Sequence, residues 1–211
     1  MDFGMPLDEA MDTQRAIRRL KTDPVDDAVV LRLIDLALRA PTGSNAQSWE
    51  FIIVRDPKIK KALARLNRQV WRLYARIGRW ATRHDVKRRR LLGAVQWQAD
   101  HLEEAPVIVV ACLKGTYIPF LHISTATYFG SIFPAVQNLL LAARAVNLGA
   151  ALTTIPLWNL IAMRRILGLP WNITPCAVIP LGWPLGRYGP TTRKPIHEVV
   201  SFDRFRNRPA A

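Results

Sequence analysis

Apolar positions along the chain recur mostly at helical spacing, with four short interruptions of strand character. Residues 7–19 predict a first helix that carries Arg15, Arg18 and Arg19 near its end. Pro24-Val25 breaks the pattern. Asp26 and Asp27 then supply the negative charge that a helix N-terminus favours. Val30, Leu33, Ile34, Ala37 and Leu38 continue that second helix to about Arg39. Residues 40–45 read as a polar loop. Trp49 to Val54 is aromatic and β-branched, as a strand should be. Asp56-Pro57 turns the chain into a long amphipathic helix, and a further helix covers about 91–103. The uncharged run from Pro106 to Cys112 predicts a strand buried on both faces. A long apolar helix over about 124–147 ends at Gly149. Residues 150–154 predict a short strand, 157–168 a short helix and 177–181 a last strand. From Arg187 the tail is polar and punctuated by Pro190, Pro195 and Pro209. Helices outweigh strands and their order is mixed. The expectation is an α+β fold, one domain over 1–211, with a small mixed β-sheet packed between helices.

Charge changes the picture most in the amphipathic helix. Lys61, Arg65, Arg68, Arg72, Arg76, Arg79 and Arg83 step by three and four, which aligns them on one face. Leu63, Leu66, Val70, Leu73, Ile77 and Trp80 do the same on another face. Residues 58–90 hold thirteen cations against Asp85 alone, so this segment carries +12 of the net +14. Like charges at i,i+4 repel by a few tenths of a kcal/mol per pair, roughly. The ridge is therefore either a solvated face or a surface for nucleic acid, acidic lipid headgroups or a phosphorylated substrate.

The remaining composition narrows the class. With 211 residues, 50% hydrophobic and 22% charged, the chain can bury one ordinary core and is neither disordered nor fibrous. Two cysteines, Cys112 and Cys176, and four histidines offer neither a disulfide framework nor a ready zinc cluster. The most apolar stretch, from Ser131 to Leu152, is interrupted by Gln137, Asn138, Arg144 and Asn147, so no transmembrane segment is expected. The acidic start lacks the basic n-region of a signal peptide, which predicts a soluble cytoplasmic protein. No Walker loop, nucleophile elbow or His-Glu-x-x-His motif occurs. His101 with Glu104 lacks further ligands for a metal and reads as a polar helix face.

What remains suits a phosphate and a flat polar ring. Arg15 and Arg18, read on one helical turn, would direct two guanidinium groups at one ligand. Residues Pro41-Thr42-Gly43-Ser44-Asn45-Ala46-Gln47 combine a glycine for close backbone approach with amides that donate and accept. Arg193 and Lys194 add cationic reach from the tail. Together they suggest a flavin mononucleotide (FMN) pocket.

The same residues resemble the nitroreductase family of FMN-dependent flavoproteins. The segment from Thr13 to Lys21, followed by Asp23-Pro24-Val25, resembles the family's phosphate-binding opening. Ala40 to Phe51 resembles its Ala-Pro-Ser-x-x-Asn-x-Gln-Pro-Trp-x-Phe signature. Phe133 to Ala143 resembles its central helix, and Leu148-Gly149 the exit from it. Ile179 to Pro184 and Arg193-Lys194-Pro195 resemble the C-terminal strand and the phosphate-contacting tail. The resemblance covers nearly the whole chain except 58–100, a basic helical insertion or cap. Gln14 and Ala16 stand where many members have Arg and Ser, and Ser48 replaces the common Pro.

The resemblance implies that Arg15 and Arg193 hold the FMN phosphate, beside Ala16, and that Arg18 meets the pyrimidine edge of the ring. It implies that Pro41, Thr42, Gly43 and Asn45 reach the cofactor from a second subunit and that Gln47 also contacts it. Leu152, Thr153 and Thr154 would lie along the ring. It further implies a homodimer with exchanged C-terminal tails. The implied chemistry is a ping-pong reaction from NAD(P)H to a small-molecule electron acceptor, a nitroaromatic or quinone. No catalytic side chain is then required, because the flavin carries the reaction. Two alternatives stay open: a specialised branch that dehalogenates or fragments flavin, and a binder of polyanions or anionic membrane through the Lys61–Arg83 ridge.

Overall fold

The computed structural model describes residues 3–81, 85–115 and 122–208, excepting the side chains of 77–81, 87 and 122–124. Among the described residues there are six α-helices and four strands; the helices are α1 Leu7–Thr13, α2 Asp27–Ala37, α3 Pro57–Ala81, α4 Val86–His101, α5 His122–Ala145 and α6 Leu160–Leu167. The strands, β1 Trp49–Val54, β2 Val107–Lys114, β3 Gly149–Ala150 and β4 Ile173–Gly182, form one sheet in the order β1-β2-β4-β3. A mixed sheet was expected, but each pairing among these strands is antiparallel.

Strand β2 is central, and its alternation divides the core. Val107, Val109, Ala111 and Leu113 face α2 and α5, where they meet Val30, Leu33, Ile132, Val136 and Leu139. Ile108, Val110 and Cys112 face the other way, onto Leu63 and Leu66 of α3 and Met163 of α6. Both sides of β2 are thus covered, which is why its sequence shows no polar alternation. Asp26 caps α2 by accepting from the Ala28 N–H at 2.8 Å, and Gly168 ends α6 at φ 65.

The first helix is shorter than its pattern implied. It ends at Thr13, and Gln14 turns extended (ψ 124). The Ile17 N–H then donates to the Ala150 carbonyl at 2.9 Å, and Leu20 bridges Pro184. Ile17 and Leu20 lie directly over Gly149, where a Cβ would come within 2.8 Å and 2.7 Å of them. Residues 14–20 therefore run as an extended strip beside β3. Arg15 and Arg18 do not share a helical turn.

Helix α5 also ends early, at Ala145, with Asn147 in the left-handed region at φ 60. Gly149 serves this close crossing and does not terminate the helix. The strand expected over 150–154 is a two-residue strand plus a bridge from Thr153 to Val178.

On α3 the buried face is rotated from the expected one. Trp71 and Ala75 are buried against Ala99 of α4, whereas Leu73 is exposed. Packing on α4 chose the side, and the Trp71 indole N–H donates to the Gln96 side chain at 2.7 Å. Arg68 leaves the cationic ridge to pair with Glu103 at 2.9 Å. The Arg79 side chain and all of Arg83 lie outside the described residues.

Candidate cofactor site

The expected site residues fall into two groups at opposite corners of the sheet. The first group forms around β3. The strip holding Arg15, Ala16 and Arg18 is bonded to Ala150 through Ile17. Two residues beyond Ala150, Leu152 begins the Leu152-Thr153-Thr154 segment. There Thr153 is buried and exchanges backbone hydrogen bonds with Val178 at 2.9 Å, while Thr154 is exposed. The tail reaches the same corner: the Thr191 N–H and hydroxyl both donate to the Asp12 carbonyl at 3.0 Å. That contact joins the tail to the end of α1, a pairing that a contiguous motif could not reveal.

Arg144, at the end of α5, holds this corner together. Its side chain is nearly buried, its Nε donates to the Thr13 hydroxyl at 2.8 Å and its guanidinium donates to Asn147 Oδ1 at 2.9 Å. The guanidinium stacks 4.3 Å from the Tyr188 ring centroid, and the Tyr188 hydroxyl donates to the Leu148 carbonyl at 2.5 Å. Burial pushes the Tyr188 phenol up to about 12, with Arg144 acting against it. In the sequence Arg144 reads only as an interruption of an apolar run. Its one signal was its position, a lone cation in the last turn of an otherwise uncharged helix.

Arg18 is half-buried, and burial lowers its guanidinium below the usual arginine range. Arg15 and Arg193 are exposed. Among the described residues, none of these three pairs with a carboxylate. A desolvated guanidinium without a partner is costly, and an anionic or carbonyl-bearing ligand relieves that cost.

The second group, Pro41, Thr42, Gly43, Asn45 and Gln47, lies at the other end of α5. The Gly43 N–H donates to the Ser131 hydroxyl at 3.2 Å, and the Trp49 indole N–H donates to the Ser131 carbonyl at 2.8 Å. From Ser131 to the helix end at Ala145 is about 20 Å at the α-helical rise. Gly43 is needed against the chain itself, because a Cβ there would stand 2.6 Å from Thr127. The close approach to α5 is a second demand on the glycine, beside the expected one to a cofactor. Ser44, Asn45 and Gln47 adopt φ of 52, 51 and 48, so three neighbouring side-chain-bearing residues sit in the left-handed region. Such conformations cost about 1–3 kcal/mol each and cluster where a loop is held for a purpose. The Thr42 hydroxyl accepts from the Gln47 N–H at 3.2 Å, and Asn45 Oδ1 accepts from the Gln47 side-chain amide at 3.1 Å.

A third feature was not assigned to named residues beforehand. Val70, Trp71, Tyr74, Leu92, Ile155 and Trp158 line a cavity of about 280 Å³, next to Thr154. None of its described lining residues is charged. Tyr74 and Trp158 pack edge to face at 6.3 Å.

Other chemistry is unsupported. Burial pushes the Cys112 and Cys176 thiols up to about 12, so neither is a nucleophile at neutral pH. Among the described residues no metal-binding cluster occurs, and no helix is long and apolar enough to cross a membrane. His101 stacks on Trp97, with ring centroids 4.2 Å apart, and its Nδ1 lies 2.8 Å from the Trp97 carbonyl.

The architecture defines an α+β chain whose antiparallel sheet is covered on both faces by helices, with half-buried Arg18 beside its shortest strand. A family model described as the nitroreductase family matches residues 11–183, and the chain belongs to that family. The chain is 27% identical over 180 residues to iodotyrosine deiodinase 1 of Rattus norvegicus, covering 83% of itself but 61% of that protein. It is 26% identical to a putative NADH dehydrogenase/NAD(P)H nitroreductase of Methanothermobacter thermautotrophicus, over 85% of itself and 78% of that protein. A BluB-like flavoprotein from Clostridium difficile shares the fold at a TM-score of 0.72 and 21% identity, over 95% of this chain and 100% of that one. An iodotyrosine deiodinase bound to FMN and 3-iodo-L-tyrosine does so at a TM-score of 0.70 and 22% identity, over 95% and 100%.

Proposed function

We propose that this chain is an FMN-dependent oxidoreductase that works as a homodimer, passing electrons from NAD(P)H to a flat, uncharged aromatic or quinone acceptor. The observation that carries the reading is the half-buried Arg18 guanidinium beside β3, which, like exposed Arg15 and Arg193, pairs with no carboxylate among the described residues. These residues fit FMN: Arg15 and Arg193 would hold its phosphate and Arg18 a polar edge of its ring. When bound, FMN supplies hydride chemistry through that ring. The chain's own residues bind and orient. Arg18 offers fixed positive charge where negative charge develops. Leu152, Thr153 and Thr154 form a wall on the strip's β3 side, and Val70, Trp71 and Tyr74 of α3 with Leu92 of α4 line the adjoining cavity.

The strained loop 41–47 stands about 20 Å from this corner along α5, which supports its delivery by a second copy. The outer face of α5 is uncharged at Ala126, Gly130, Phe133, Gln137 and Leu141, and the tail exposes Ile196, Val199, Phe202 and Phe205. Both are surfaces that a second copy would bury.

A deiodinase reading rests on the names of several relatives. Iodotyrosine carries an ammonium and a carboxylate, and the described lining of the cavity holds no charged group to meet either. The uncharged lining favours a neutral acceptor.

Complementation tests the shared site. Arg15→Ala and Asn45→Ala homodimers should each lose FMN and NAD(P)H oxidation, and mixed dimers should regain one intact site. A mixed dimer without recovery would refute the two-chain site. A parent that purifies without flavin and takes up no added FMN would refute the cofactor.

A further inference from the structure

Helix α3 presents two opposed faces, and the flavin reading uses only one. Val70, Trp71 and Tyr74 line the apolar cavity. At about 100° per residue, Lys61, Arg65, Arg72 and Arg76 project from the other side, and all four are exposed. Their field is therefore directed away from the cavity, where an electron donor or acceptor would enter. Among the described residues, Lys58, Lys61, Arg65, Arg72, Arg76 and Arg165 of α6 take part in no ion pair. Nothing described within the chain offsets their mutual repulsion.

The same face carries apolar surface. A groove of about 370 Å³ separates α3 from α6, with Lys58, Lys61 and Arg65 on its rim and Leu66, Ala162 and Ile166 on its floor. A second hollow, about 250 Å³, adjoins it across α6 and is lined by Ile161, Arg165 and Trp171. Trp171 is 81% exposed and Ile161 55% exposed. The Arg164 guanidinium lies 5.2 Å from the Trp171 ring centroid, so the indole is held outward with a cation beside it.

We propose that this face docks on an anionic lipid bilayer, with the cations at headgroup phosphates and Trp171 and Ile161 seated at the interface. A bilayer uses both halves of the pattern. Cations near an anionic surface and amphipathic indole rings at headgroup depth each favour it. Duplex nucleic acid would neutralise the cations but leave Trp171 and Ile161 in water. The proposal is independent of the cofactor reading.

The 211-residue chain is sedimented with phosphatidylcholine vesicles and with the same vesicles containing phosphatidylserine. Binding is expected only to the anionic vesicles and should fade as salt screens it. Reversing three cations, Lys61→Glu with Arg65→Glu and Arg72→Glu, should weaken binding by ~100-fold or more. The pair Trp171→Ala and Ile161→Ser keeps every charge and should still weaken it by about tenfold. Circular dichroism confirms that each variant is folded. Equal binding to neutral vesicles would overturn the proposal. So would parental binding by the charge-retaining pair, or a parent that prefers duplex DNA to anionic vesicles.

Discussion

Replacing Arg144 by methionine tests whether one buried cation organises the proposed cofactor corner. Methionine keeps much of the aliphatic stem and removes the guanidinium. The change deletes the hydrogen bonds to Thr13 at 2.8 Å and Asn147 at 2.9 Å, and the stacking on Tyr188 at 4.3 Å. Hydrogen bonds to a charged group contribute about 1.5–3 kcal/mol each, and a partly desolvated cation–π contact about 1 kcal/mol. Thr13 is only half-buried and Asn147 is exposed, so water recovers part of the loss. The Glu9 carboxylate, 3.7 Å away and 53% exposed, adds little. The expected net loss is about 2–4 kcal/mol. Denaturant unfolding at fixed protomer concentration reads it directly, because a dimer's apparent stability depends on concentration. Flavin retention should fall in parallel, since Arg144 bonds to Thr13 and stacks on Tyr188, and so ties down both the start of the Arg15 strip and the root of the tail. A variant within about 0.5 kcal/mol of the parent, with unchanged flavin content, would refute this organising role.

Two further outcomes follow from packing and titration. Gly149→Ala should destabilise by about 1–3 kcal/mol and weaken FMN binding, because its Cβ would press on Ile17 and Leu20 beneath Arg15 and Arg18; equal stability and equal flavin affinity would disprove the crossing. Stability should decline from about pH 9 towards 12 in urea titrations: burial raises the thiols of Cys112 and Cys176 and the phenol of Tyr188 to about 12, so the unfolded chain sheds those protons first. That stabilisation is fully present below the ordinary thiol range and disappears as pH climbs through the folded values. A flat profile across this window would contradict the burial of these groups.

Much of this protein is written locally. The uncharged run at β2, the β-branched stretch of β1 and the spacings of α2, α3 and α5 each state their element, because period and composition act within a few neighbouring residues. The same holds for the motif at 40–51 and the cations at 15 and 18, which, in order with the motifs at 133–143, 179–184 and 193–195, pointed to the family. Tertiary structure decided what local pattern could not. Residues 14–19 have helical periodicity, yet they run extended because Ile17 finds the carbonyl of Ala150 and packs over Gly149. Trp71 is buried and Leu73 exposed because α4 covers one side of α3. Gly43 is required by Thr127 of α5, and the loop it begins lies far from the corner that holds Arg15. In each case the deciding partner is distant in sequence. Burial and backbone pairing are settled by which surfaces meet, and a local period cannot encode that.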